Sequence, residues 1–127
     1  MSKKHRGSGK VRKGSRGVRF GLNLLVYTPT FSREKLDLVA KVADMGFDGV
    51  EIPFTDLDVL DAPATRAACE AAGVGVTSCC VMMPDCSPCA TDPAQRQAGL
   101  ARLRRMGDLA AEMGGKVMAG RLYAGVR

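Results

Sequence analysis

From residue 18 onward the apolar positions fall into alternating blocks of two kinds. Val18–Tyr27 is a nearly continuous apolar run, broken only by Arg19, Gly21 and Asn23. It is too short to cross a membrane and suits a strand buried on both faces. Thr28-Pro29-Thr30 stops it, and Ser32 is placed to cap a helix in which Leu36, Val39, Ala40 and Ala43 recur at helical spacing. Gly46 ends that helix, and Val50-Glu51-Ile52 predicts a second short strand closed by Pro53. Asp61 as cap, with Pro63 in the first turn, opens an alanine-rich helix that ends at Gly73, and Val74–Met83 is a third β-type run. Asp92-Pro93-Ala94-Gln95 combines a cap, a first-turn proline and a capping-box glutamine, so a helix runs from there to about Met113. Gly114-Gly115 stops it and Lys116–Ala119 is a fourth strand.

Four strands alternating with three helices predict a parallel α/β sheet, because a parallel pair needs a long, usually helical, crossover. A doubly wound sheet fits in 127 residues, whereas a (β/α)8 barrel needs roughly 250 and would be cut about in half. The end of the chain directly after an apolar strand reads as truncation.

Composition changes this picture little. Hydrophobic residues make up 46% and charged residues 25% of the chain, which describes one globular domain with no span and no signal-peptide core. The expected location is the cytoplasm, and five cysteines in such a chain imply a reducing compartment. The net charge of +6 is local: residues 1–17 hold seven basic side chains and no acidic one, leaving twelve basic against thirteen acidic residues in the body. That stretch has no aromatic to stack on a base, so we read it as a disordered, solvated tail and not as a nucleic-acid contact. Gly9-Lys10 lacks the spacing of a phosphate loop. The sole histidine, His5, lies in the tail, which sets aside Ser-His-Asp, Cys-His and histidine-rich zinc chemistry.

Phe20-Gly21-Leu22-Asn23, Met45–Pro53, Asp92–Gly99 and Gly120-Arg121-Leu122-Tyr123 occur in that order. Together they resemble the sugar phosphate isomerase/epimerase family with the xylose isomerase-like TIM barrel, in particular its D-tagatose/D-psicose 3-epimerase branch. The resemblance covers residues 18–127 and implies the N-terminal half of a (β/α)8 barrel. It also implies ketose 3-epimerisation through an enediolate, with Mn2+ or Mg2+ polarising the oxygens while two glutamates move the proton. The family's metal ligands lie in the second half of the barrel, so no metal ligand and no catalytic residue carries over. The fragment is expected to be inactive and to bind no cation.

What carries over is part of the sugar-binding wall. Tyr27 closes the first strand where the family often places an aromatic. Glu51, alternating with Val50 and Ile52, is expected to point into the barrel near its upper end. Whichever of Cys79 and Cys80 faces inward is expected to line the sugar site. Tyr123 follows the fourth strand in a loop where Arg121 replaces the family's usual proline. Two further clusters take structural readings. Cys86-Ser87-Pro88-Cys89 with Cys79-Cys80 lacks the two separated pairs of a zinc site, and Asp56, Asp58 and Asp61 read as a solvated loop and a cap. The rival reading is a small non-catalytic α/β binding domain whose tail contacts nucleic acid or an anionic surface. A half-barrel would also expose sheet edges and favour association, including two copies completing one barrel.

Overall fold

A computed structural model describes residues 17–124. The tail reading, His5 and Gly9-Lys10 therefore lie outside the described residues, except for Gly17. Strands β1 (Gly21–Asn23), β2 (Gly49–Phe54), β3 (Gly75–Val81) and β4 (Met118–Arg121) form one parallel sheet in sequential order. Helices α1 (Asp37–Asp44), α2 (Ala62–Ala72) and α3 (Pro93–Glu112) connect them. This is the expected count of strands and helices, in the topology of part of a (β/α)8 barrel.

Local chemistry sets most boundaries. Asp61 accepts from Ala64 N at 2.9 Å and Asp92 from Ala94 N at 3.2 Å, so both expected caps form. Gly73 closes α2 at φ 67°, a left-handed conformation that a residue without Cβ enters freely. Several boundaries differ from the sequence expectation. The fourth strand, expected over Lys116–Ala119, runs over Met118–Arg121, and the third is shorter, Gly75–Val81. The first strand stops at Asn23, because the Asn23 side chain accepts from Leu25 N at 2.8 Å and starts a 3-10 turn over Leu24–Val26. Ser32 makes no side-chain cap; its carbonyl instead accepts from Lys35 N, and a 3-10 turn over Arg33–Lys35 precedes α1. Pro53 sits inside β2 and does not end it. β1 pairs only as far as Glu51, so beyond that level β2 has a neighbour on one side alone, where a missing N–H is tolerated.

Alternation divides the sheet into two faces. Val50, Ile52 and Phe54 of β2 and Cys80, followed by Met82, on β3 are buried together with Val39, Val42, Cys69, Met106, Ala110 and Met113 of the helical layer. Arg102 of α3 fastens the upper end of this layer. Its guanidinium donates to the carbonyls of Phe54, Thr55 and Val81 at 2.8–3.2 Å, where β2 and β3 finish. Gly99 lets the Ser87-Pro88 backbone rest on α3, since a Cβ there would lie 2.4 Å from Pro88 N. Among the described residues, no helix packs on the opposite, inner face of the sheet.

Candidate functional site

The inner face holds an open cleft of about 680 Å³ at the N-terminal ends of β1–β3. Its floor is a row of glycines, Gly21, Gly49 and Gly75, that stand side by side in the register of the three strands. Two residues higher, the same register places Asn23, Glu51 and Thr77 side by side, and all three line the cleft. Asn23 Nδ2 donates to Glu51 Oε2 at 2.7 Å, while Asn23 Oδ1 accepts from Leu25 N. The amide is thereby held at both ends and presents the half-buried carboxylate to the cleft. Arg19 and Lys116 stand at the lower rim with Asp48, whose carboxylate accepts from Phe20 N at 2.9 Å.

Glu51 shares the inner face as alternation requires, but as the third residue of a six-residue strand it lies below the upper end; the continuation of β2 through Pro53 and Phe54 accounts for the difference. Cys79 lies one inner-face step above Thr77, opposite Pro53, and is half-buried. Cys80 lies on the other face, fully buried. Its thiol contacts Ser78 Oγ at 3.8 Å, and burial pushes its pKa up, with Cys79 and Glu51 adding to that while Ser78 and Arg102 oppose it. Tyr27 is not at a strand end. The early turn after Asn23 carries it over α1, where its ring lies 4.7 Å from Lys41 Nζ and its hydroxyl donates to Met45 Sδ at 3.8 Å. Tyr123 is exposed in the bend after β4. Of the five sequence candidates, the fold therefore brings Glu51 and Cys79 to one face and holds Tyr27 and Cys80 away from it. Asn23 and Thr77 were absent from the sequence candidates; only the cross-strand register marks them.

The remaining clusters have local employment. Asp56 accepts from Asp58 N, Asp58 pairs with Arg105 Nη2 at 2.6 Å, and Asp61 caps α2 and meets Arg33 at 3.4 Å. Cys86 Sγ lies 3.8 Å from the Ala98 carbonyl, and the five cysteines are free thiols. No group of three or more His, Cys, Asp or Glu among the described residues could hold a metal ion. The described residues thus do not assemble a site for a divalent cation. Among the described residues, no helix is long and apolar enough to cross a membrane.

A carboxylate, an amide and a hydroxyl in one row, above bare glycine backbone, can accept and donate hydrogen bonds to a small polyhydroxylated molecule. A family model described as xylose isomerase-like TIM barrel matches residues 39–127. The chain belongs to that family. No curated protein matches it in sequence. Among solved structures, D-allulose 3-epimerase from Methylomonas sp. in complex with D-allulose matches with a TM-score of 0.80 and 23% identity, over 86% of this chain and 38% of that one. An L-ribulose 3-epimerase matches at 0.77 and 25%, over 86% and 37%. D-psicose 3-epimerase from Clostridium cellulolyticum H10, with D-tagatose, matches at 0.72 and 18%, over 84% and 38%. The chain thus spans under two fifths of the length of these epimerases. In barrels of this architecture chemistry sits at the C-terminal ends of the strands. In this member of the xylose isomerase-like TIM barrel family that end holds the loops after β2, β3 and β4, and the cleft opens at the other end.

Proposed function

We propose that this chain forms part of the sugar-facing wall of a barrel related to the ketose 3-epimerases, and that by itself it binds a ketose without turning it over. The observation that carries this reading is the Asn23–Glu51–Thr77 row, with Cys79 above it, on the inner face of a sheet whose fold is that of sugar epimerases. In this reading Glu51, steadied by Asn23, accepts from a sugar hydroxyl, and Thr77 supplies a second polar contact. Tyr123 belongs to the loop end where the sugar's far side would lie, and Tyr27 supports α1. Proton abstraction beside the carbonyl and Mn2+ or Mg2+ binding belong to groups beyond these residues. Five free cysteines accord with work in a reducing cytoplasm.

The test is a two-dimensional NMR titration with D-allulose, D-tagatose and D-fructose, combined with chromatography of the sugar after long incubation with Mn2+. The reading expects saturable shifts at the Asn23 side-chain amide and the Glu51 and Thr77 amides, lost in Asn23→Ala, and no epimer formed. Absence of shifts on the inner face would defeat the binding half, and epimer formation would defeat the other half.

A further inference from the structure

Arg102 stands on the packed side of α3, one turn after Gly99 and one turn before Met106, both of them buried. A guanidinium on such a face has to recover the hydrogen bonds it gives up to water. Among the described residues Arg102 meets no carboxylate, whereas Arg105 on the next stretch of the helix pairs with Asp58. Its donors go to backbone carbonyls alone: Nη2 to Phe54 and Thr55 at 3.2 and 2.8 Å, and Nε to Val81 at 3.2 Å. Thr55 carries this connection in the other direction. Its hydroxyl donates at 2.6 Å to the carbonyl of Pro29, in the loop after β1. Pro29, Thr55, Arg102 and Val81 are thereby joined in one line of hydrogen bonds that crosses the ends of β1, β2 and β3.

We propose that Thr55 and Arg102 are positioning residues that hold the loops after β1, β2 and β3 in one fixed relation, at the end where barrels of this architecture carry their chemistry. A planar guanidinium with fixed donor directions bridges two strand ends at once, which an ammonium on a flexible stem does not. Thr55 serves both directions, since its carbonyl accepts from Arg102 while its hydroxyl reaches Pro29. A displacement of one loop is therefore passed to the next. The proposal goes beyond the sugar-binding reading and does not depend on it, and neither residue belongs to the Asn23–Glu51–Thr77 row.

Amide hydrogen exchange of the 127-residue chain, followed by NMR, tests it. The reporter is the N–H of Thr28, which precedes Pro29 and donates to the Leu24 carbonyl, not to Thr55 or Arg102. Thr55→Val keeps the shape of the side chain and removes its hydroxyl; Arg102→Lys keeps the charge and removes the fork. Each should speed exchange at Thr28 about tenfold, the equivalent of one hydrogen bond, and leave the amides of α2 within about twofold of their natural rates. Thr55→Ser, which retains the hydroxyl, should restore the natural rate. The double variant should be no faster at Thr28 than Thr55→Val alone, because both substitutions cut the same line. A reciprocal measurement leaves the guanidinium in place: in Thr55→Val the Nε–H of Arg102, bonded to Val81, should also exchange several-fold faster. Thr28 unmoved by either single substitution, effects that multiply in the double variant, an Arg102 Nε–H indifferent to Thr55→Val, or an equal rise across α2 would each overturn the proposal.

Discussion

The two faces of this sheet are built from the same strands and obey opposite rules. On the outer face Val50, Ile52, Phe54, Cys80 and Met82 are 0–1% exposed and touch α1, α2 and α3 or one another. On the inner face Gly49, Glu51, Thr77 and Cys79 are small or polar and only partly buried, and Pro53, opposite Cys79, is the buried apolar exception. One residue of alternation separates them. The free energy of folding is concentrated on the outer face, and the inner face is left free to carry groups that contribute little to stability but present hydrogen bonds. The two can thus be disturbed separately, and the size of each disturbance reports which side a residue serves.

The largest effect belongs to the outer face. Phe54 is fully buried at the top of β2, beneath the carbonyl that Arg102 clasps. Phe54→Ala removes a ring from a packed layer and leaves a cavity, costing about 3–5 kcal/mol. Set against a total stability of ~5–15 kcal/mol for a domain, this should move the urea midpoint far down or unfold the chain outright. An inner-face truncation such as Thr77→Ala should shift the same midpoint by well under half as much. Equal shifts would mean that the inner face is part of the stabilising core.

What the sequence disclosed follows the same division. The capping aspartates Asp61 and Asp92 and the closing Gly73 are legible because their partners lie within a few residues. Glu51 is legible as inward-facing because Val50 and Ile52 flank it. The inner row is not, because membership depends on register: Asn23 joins it only since Gly21 pairs with Gly49, and Thr77 only since Gly49 pairs with Gly75. The choice between Cys79 and Cys80 follows from that register as well. Val18–Tyr27 taken as one apolar run puts Tyr27 at a strand end, but the bond that the Asn23 side chain accepts from Leu25 N is enough to end the strand early. Apolar character alone does not reveal such a competition.

A second, intermediate effect distinguishes buried polar chemistry on the outer side. Cys69 of α2 is 3% exposed, and burial, helped by the neighbouring Glu70 carboxylate, pushes its thiol pKa from 9.0 up to about 11. The unfolded chain then loses this proton first. Stability from Cys69 is complete below about pH 9 and is lost as pH rises through about 11, a change on the order of 2 kcal/mol. Urea unfolding at pH 8 and pH 10.5 should show the drop in the natural chain, and a smaller drop in Cys69→Ala after both are referred to their own pH 8 values. An identical drop in the variant would assign the alkaline loss to other groups.

The smallest effect lies in the inner row and reads its geometry directly. Asn23 donates to Glu51 at 2.7 Å and accepts from Leu25 N at 2.8 Å, so Asn23→Ala loses two bonds while Glu51→Gln keeps a partner for the amide. A double-mutant cycle with Asn23→Ala and Glu51→Ala isolates the contact between them. The pair is partly exposed, so water competes for both groups and the coupling should be about 1 kcal/mol, not the larger value of a desolvated charged hydrogen bond. Asn23→Asp sharpens the comparison further. It retains the acceptor that caps the turn but sets one carboxylate against another, so it should destabilise more than Glu51→Gln, and adding Glu51→Gln to it should restore most of the loss. If Asn23→Asp is no worse than Asn23→Ala and gains nothing from Glu51→Gln, then Asn23 serves the turn after β1 alone, and the inner row is three neighbours without a working contact between them.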